Sequence, residues 1–207
     1  MPPGTTPTGS NPAIAPEPGL GAELRAVPGM TVLTGGQTGV DTAAAQAALV
    51  AGLIVHVVFP RGYRQEDGPI TPARRRALRG AVLHELGSPE FRDRTWTCVG
   101  LADAVILIDP AGGDGCRETI TAAGRLARPL LNLPARIGCG RRASRRAART
   151  EVAPAVRDFL GRNRTQVLMI AGCRGSLLAR EHRTAEVETR VRAIAAVLRE
   201  CEDRLSG

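Results

Sequence analysis

The chain contains no lysine; all 28 of its basic residues are arginine. That removes lysine Schiff-base chemistry and a P-loop lysine, both of which need an amine on a flexible stem. Aromatic residues are almost as scarce. Phe59, Phe91, Phe159, Tyr63 and Trp96 are all there are, so the core must be aliphatic and the stacking platforms of single-strand nucleic-acid binders are missing. The cysteines (Cys98, Cys116, Cys139, Cys173 and Cys201) are odd in number and widely spaced, with no CxxC pair and no His/Cys cluster. Neither a disulfide framework nor a metal site is expected from that spacing, and a reducing cytoplasm suits it. No apolar run approaches transmembrane length and no secretory signal opens the chain, so a cytoplasmic protein without membrane contact is expected.

What is present fits one α/β domain. A chain of 207 residues is long enough to bury a real core, and its net charge of +8 favours anionic partners such as nucleotides and phosphates. Nucleic acid is not expected. Residues 1–28 are rich in Pro, Gly, Thr and Ala without periodicity and read as a disordered leader; residues 29–207 read as a single domain.

That domain is organised around the stretch from Thr31 to Thr42. The β-branched run Thr31–Thr34 reads as a buried strand, Gly35-Gly36-Gln37-Thr38-Gly39 as a turn, and the alanine-rich segment after it as a helix. Strand, glycine turn and helix together present backbone N–H groups and the positive end of a helix dipole to an anion. A plain tight turn explains the same residues, with Thr38 capping the helix and Asp41 completing a capping-box-like pair.

The pattern recurs. Leu53–Phe59 reads as a strand and leads into a polar loop, Pro60–Pro72. Its Arg61 and Arg64 can hold an anion, and its Glu66 and Asp67 can hold a ribose hydroxyl or a hydrated metal, or simply form a turn. Val82–Leu86 reads as a short strand, and Glu90–Leu101 as a helix with Phe91, Thr95, Cys98, Val99 and Ala102 on one face. Trp96 falls off that stripe, which suggests a ligand lid or subunit contact, or else packing under a neighbouring loop.

Asp103–Asp109 is apolar on both sides, as a central parallel strand would be, and ends in a second glycine turn through Gly112, Gly113 and Gly115. Glu118 and Thr119 follow in the first turn of its helix. Residues 136–150 read as an Arg-rich solvated connector, followed by a helix Val152–Arg162. Strand Gln166–Ala171 opens into a third turn, Gly172-Cys173-Arg174-Gly175-Ser176. A final helix from about Arg180 to Arg204 carries the stripe Val187, Val191, Ile194, Leu198, Cys201 and Leu205, suited to the sheet or to a partner helix. Strands alternating with helices predict a Rossmann-like, doubly wound, mainly parallel sheet flanked by helices. Its glycine turns would lie at the carboxyl ends of the strands, where ligands bind.

With these residues in view, the chain resembles the circularly permuted YpsA-type branch of the SLOG superfamily, whose members are often labelled candidate molybdenum carriers. The likeness runs through Gly35–Asp41, Pro60-Arg61-Gly62, Glu66–Ile70, Arg94-Thr95-Trp96, Gly112-Gly113, Thr119, Arg128-Pro129 and Ala171–Ser176. It implies a sheet whose last strand here comes first in unpermuted relatives, and a pocket for a nucleotide-like ligand at the glycine turns. Related phosphoribohydrolases use a Gly-Gly-x-Gly-Thr-x-x-Glu motif with Glu and Arg in catalysis. Here Cys116 replaces that Thr and Glu118 comes one residue early; on the permuted pattern, Thr121 stands where Glu is usual and Cys98 where Asn is expected.

The resemblance implies a binder of a nucleotide or other phosphorylated small molecule, such as the molybdenum cofactor, through Gly35, Gly36, Gln37, Thr38, Gly39, Asp41, Arg61, Glu66, Asp67, Trp96, Gly112, Gly113, Gly115, Thr119, Gly172, Arg174 and Ser176. No metal ligands and no intrinsic cofactor are expected, and the residues neither require nor exclude Mg²⁺. One alternative is an N-glycosidase acting on a nucleoside monophosphate, with Glu118 and Arg174 in catalysis. Another is a nucleotide sensor without chemistry. A homodimer or higher homo-oligomer is expected.

Overall fold

The computed structural model describes residues 19–109, 113–134 and 145–206. Among them, six parallel strands form one sheet: β1 (Thr31–Thr34), β2 (Ile54–Phe59), β5 (Val82–Glu85), β6 (Ala104–Ile108), β7 (Leu130–Leu133) and β8 (Val167–Gly172). Their order across the sheet is β5-β2-β1-β8-β6-β7. The strand that comes last in the chain therefore lies near the middle, between β1 and β6. This is the expected doubly wound, Rossmann-like sheet.

The central strands are buried from end to end: each residue of β1 and of β6 is sealed from solvent. Their near-continuous apolar runs follow from helices covering both faces. Complete burial of each Val, Leu or Ile contributes about 1.5–3 kcal/mol. Helices α2 (Val40–Val50), α6 (Arg145–Asn163) and α8 (Thr184–Ser206) pack together as one layer, and α4 (Phe91–Leu101) packs with α5 (Asp114–Arg125) as another. Three short helices remain: α1 (Leu20–Arg25), α3 (Pro72–Ala77) and α7 (Gly175–Arg180). Inside the loop expected at 60–72, β3 (Arg64–Gln65) pairs antiparallel with β4 (Gly68–Pro69).

Several expectations are corrected. The leader does not extend to residue 28: Leu20–Arg25 forms α1, with Leu20 and Leu24 buried and Arg25 paired to Asp103 at 2.6 Å. Residues 1–18 lie outside the described residues, as do Arg141 and Arg142 of the expected connector. Residues 145–150 of that connector belong to α6 instead. A short helix, α7, starts at Gly175 inside the expected third turn, and the expected final helix is α8, which starts at Thr184 rather than near Arg180. Val187, Val191, Ile194 and Leu198 of its stripe are buried inside the chain, where α8 packs on α6 and α2, so the stripe supplies no argument for a second copy.

Candidate functional site

The first and third glycine turns meet at the carboxyl ends of β1 and β8, and what joins them is mostly the protein itself. Val40 N–H donates to the Cys173 carbonyl at 3.0 Å, and Gly175 N–H donates to Thr38 Oγ1 at 3.0 Å. Gly39 has φ 82°, and a Cβ there would stand 2.4 Å from the Cys173 oxygen. At Gly35 a Cβ would overlap the Arg94 guanidinium, 1.4 Å from Nη1. These glycines are required by contacts between chain segments, whatever ligand approaches.

The predicted capping box does not form. Gly39 is the N-cap of α2, with no side-chain cap. Thr38 instead donates its hydroxyl proton to Glu66. Glu66 also accepts from the Ser176 hydroxyl and, at 2.9 Å, from Ser176 N–H. Its backbone N–H donates to Gln37 Oε1 at 2.7 Å. Burial pushes the Glu66 carboxyl up, but hydrogen bonds from Ser176 and Thr38, helped by the Arg174 charge, hold it below its ordinary value. Ser176, expected to hydrogen-bond a ligand, thus has both its hydroxyl and its backbone N–H already bonded to Glu66. Asp67 is tied to Arg74 in a two-pronged ion pair at 2.8 and 2.7 Å.

Asp41 and Arg94 form the buried centre of the arrangement. Arg94 Nη1 donates to Asp41 Oδ2 at 3.0 Å, with 8% and 4% of the two side chains exposed. Asp41 also accepts from Gln37 N–H at 3.3 Å. Desolvation raises the Asp41 carboxyl above its ordinary value despite the neighbouring guanidinium. The Arg94 Nε is buried and has no hydrogen-bond partner among the described residues. An orphaned donor on a buried cation is costly unless something polar reaches it.

Beside this pair lies a cleft of about 220 Å³. The end of β8 gives its floor, Met169, Ala171 and Gly172. Asp114, Gly115, Cys116, Glu118 and Thr119 of α5 form one wall, and Phe91, Arg92, Arg94 and Thr95 of α4 another; Gln37, Asp41 and Arg174 close it. The α5 N-cap, Gly113, has no side chain to cap the helix. Thr95 and Thr119 each donate their hydroxyl proton to a carbonyl of their own helix, at 3.0 and 2.9 Å, leaving the oxygens as acceptors.

Most charges lining the cleft are paired. Glu118 accepts from Arg92 Nε at 2.9 Å and from the Trp96 indole N–H. Asp114 pairs with Arg117. Arg174 is different: its side chain is 48% exposed, and its ionic contact among the described residues is Glu66, a full 4.0 Å away. Thiol chemistry is poorly served. The Cys173 sulfur contacts Cys116 and is buried beside Asp109, which together push its thiol strongly upward, and burial pushes Cys98 up to about 12. Asp109 itself has φ 61°, is held by Arg183, and accepts from Cys173 Sγ at 2.9 Å.

Of the residues singled out from sequence, Gln37, Asp41, Gly115, Glu118, Thr119, Gly172 and Arg174 line this one cleft. Gly35, Gly36, Thr38, Gly39, Glu66 and Ser176 belong to the packing of the turns behind it. Arg61 uses its backbone N–H on Ser88 and does not line the cleft. Gly113 caps α5, and Gly112 lies outside the described residues. Trp96 is no open lid: it is 8% exposed and acts through its bond to Glu118. Sequence reasoning did not single out Arg92, Asp114 or Met169; it noticed Phe91 and Thr95 on a helix face, and Arg94, Cys116 and Ala171 only within the resemblance.

A parallel sheet with its cleft at the carboxyl ends of β8 and β6, where the winding reverses, defines a Rossmann-like α/β protein. The chain belongs to the Circularly permutated YpsA SLOG family, which it matches over residues 32–194. Among solved structures it is similar to a candidate molybdenum carrier protein from Syntrophus aciditrophicus SB, with a TM-score of 0.62 and 21% identity over 81% of this chain and 94% of that one. A structure described as AtPrR2 in apo form overlaps 63% of this chain and 45% of that one at 18% identity; its TM-score of 0.36 carries no argument. No curated protein matches the chain. Among the described residues, no helix is long and apolar enough to cross a membrane.

Proposed function

We propose that the cleft binds the phosphorylated end of a nucleotide-like small molecule. The observation that carries this reading is Arg174, a half-exposed guanidinium at the cleft that comes no closer than 4.0 Å to the Glu66 carboxylate. A guanidinium beside an uncapped helix start suits a phosphate, because charge-assisted bonds and the helix dipole act on the same group. The buried Arg94 Nε offers a further donor.

Size narrows the ligand. Pockets that enclose a whole small molecule run from about 300 to 1,000 Å³. At about 220 Å³ the cleft takes a phosphoribosyl-sized portion and leaves a base or pterin ring at the mouth. A carrier of the molybdenum cofactor fits this reading when the metal arrives within the ligand, and the Syntrophus neighbour is itself described as a candidate molybdenum carrier. The N-glycosidase reading rests on Glu118, which lies in the same cleft with two donors fixing its carboxylate. A carboxylate so held can stabilise positive charge developing on a ribose ring.

Native mass spectrometry of the purified protein, followed by incubation with nucleoside monophosphates and assay for free base, separates the readings. The expected result is a bound anionic ligand, or uptake of a monophosphate, weakened at least tenfold by Arg174→Ala. Unchanged affinity in that variant overturns the phosphate assignment. Base release abolished by Glu118→Gln makes the protein an enzyme.

A further inference from the structure

Two of the chain's three histidines meet on the other half of the sheet. His56 lies on β2 opposite Val82, and His84 lies two residues further along β5, so both side chains leave the same face. His56 Nδ1 and His84 Nε2 are 2.8 Å apart. The ring centroids are 5.1 Å apart and the planes within 12° of each other. With so short a contact between ring nitrogens, the two rings meet edge to edge rather than face to face. Glu23 of α1 stands over them, its Oε2 3.9 Å from His84 Nδ1. One ligand atom from each of the three residues lies within 4.8 Å of the others.

We propose that Glu23, His56 and His84 form a binding site for a divalent transition ion of the zinc type. Two imidazoles and one carboxylate are a donor set this ion prefers, and they leave a fourth position for water. Zn–N bonds of about 2.0–2.1 Å at a tetrahedral angle put the two nitrogens roughly 3.3 Å apart, so the pair opens by about half an ångström. Both rings turn until their lone pairs meet at the ion, and Glu23, now 3.9 Å from the other nitrogen of His84, swings to join them. The N–H proton now shared between the rings moves to the other nitrogen of the ring that carries it, and each ring then offers a lone pair.

The surroundings suit a ligand site. His56 is 4% exposed, so its ring is held in place by the protein around it. Glu23 is open to solvent, its side chain 53% exposed, and gives the ion a path of entry. The helix carrying it is anchored: Leu20 and Leu24 are buried, Arg25 grips Asp103, and the Leu24 carbonyl accepts from Thr31 Oγ1 at 3.0 Å. None of the three residues lines the cleft. Glu23 precedes the stretch matched by the family, whereas His56 and His84 fall within it. A bound ion would tie α1 to strands β2 and β5 and stabilise the fold by mass action.

The test uses the full chain after treatment with a chelator. Zn²⁺ is titrated calorimetrically and by thermal melting, and Co²⁺ by its visible absorption. The expected result is one ion per chain, a rise in melting temperature, and a tetrahedral Co²⁺ spectrum without a thiolate charge-transfer band. Glu23→Gln, at an exposed position that leaves the core untouched, should weaken binding at least tenfold, and His84→Gln should abolish it. A thiolate band, or affinity unchanged in Glu23→Gln or His84→Gln, overturns the proposal. Absence of binding to the native chain at a tenfold excess of Zn²⁺ also overturns it and leaves the histidines as a hydrogen-bonded pair.

Discussion

Arg94 and Asp41, 53 positions apart in sequence, form a nearly solvent-free ion pair 3.0 Å long at the base of the cleft. Such a pair adds little over an apolar pair of the same shape, because desolvation offsets the attraction, but breaking it leaves a buried charge uncompensated. Asp41→Asn is therefore expected to cost roughly 3–5 kcal/mol of folding stability, measured by urea unfolding. Adding Arg94→Met should recover part of that loss, since the stranded cation is then gone. A double variant no more stable than Asp41→Asn alone would place the cost in the amides Asp41 accepts from, not in the charge.

The turn glycines give a sharper steric contrast. Gly39 has φ 82° and faces the Cys173 carbonyl, so Gly39→Ala should destabilise by more than about 2 kcal/mol. Gly124, in the last turn of α5, has nothing within 4 Å of the added carbon. Gly124→Ala should stabilise by roughly 0.4–1 kcal/mol, chiefly by narrowing the freedom of the unfolded chain. Melting temperatures of the two variants check both signs.

Glu66 links stability to acid. Its hydrogen bonds hold the folded-state carboxyl below the ordinary 4.5. The unfolded chain therefore takes up the proton first as pH falls, and the Glu66 contribution is present above about 4.5 and lost progressively as pH drops through the lower folded value. Asp103, held low by Arg25 and by the amides of Gln166 and Val167 despite burial, adds in the same direction. Below pH 4.5, the fall in unfolding free energy should be shallower in Glu66→Gln than in the native chain. Equal slopes would mean that Glu66 is not bonded this way in solution.

The β1, β2, β6 and β8 strands were legible because each is an aliphatic run sealed on both faces, a pattern that needs no knowledge of partners. The site was legible only in part. A glycine turn looks the same whether it receives a phosphate or another turn, so the packing roles of Gly35 and Gly39 appear only once Arg94 and Cys173 are seen against them. Arg94 sits in a helix where a charged residue ordinarily faces water, and nothing near it in sequence announces a counter-ion 53 positions away. His56 and His84, 28 positions apart, are joined by strand pairing alone. The break between α7 and α8 falls at His182, with φ 54°, a residue type that does not signal a helix end as glycine would.

The chain's single tryptophan reports on the cleft directly. Trp96 is buried, donates its indole N–H to Glu118, and has the Arg92 guanidinium 5.8 Å from its ring centre. Glu118 and Arg92 both line the cleft. Any ligand that displaces or repolarises either group alters the charge beside the indole, and with it the emission. Titrating a nucleoside monophosphate should give a saturable fluorescence change, absent with the free base and weakened at least tenfold by Arg174→Ala. Glu118→Gln should shift the emission of the free protein, because the indole loses a charged acceptor for a neutral one. Calorimetric binding with no change at Trp96 would put the ligand elsewhere on the molecule. A change that survives in Arg174→Ala would keep the cleft as the site but take the phosphate away from Arg174, leaving the α5 start and the buried Arg94 to hold it.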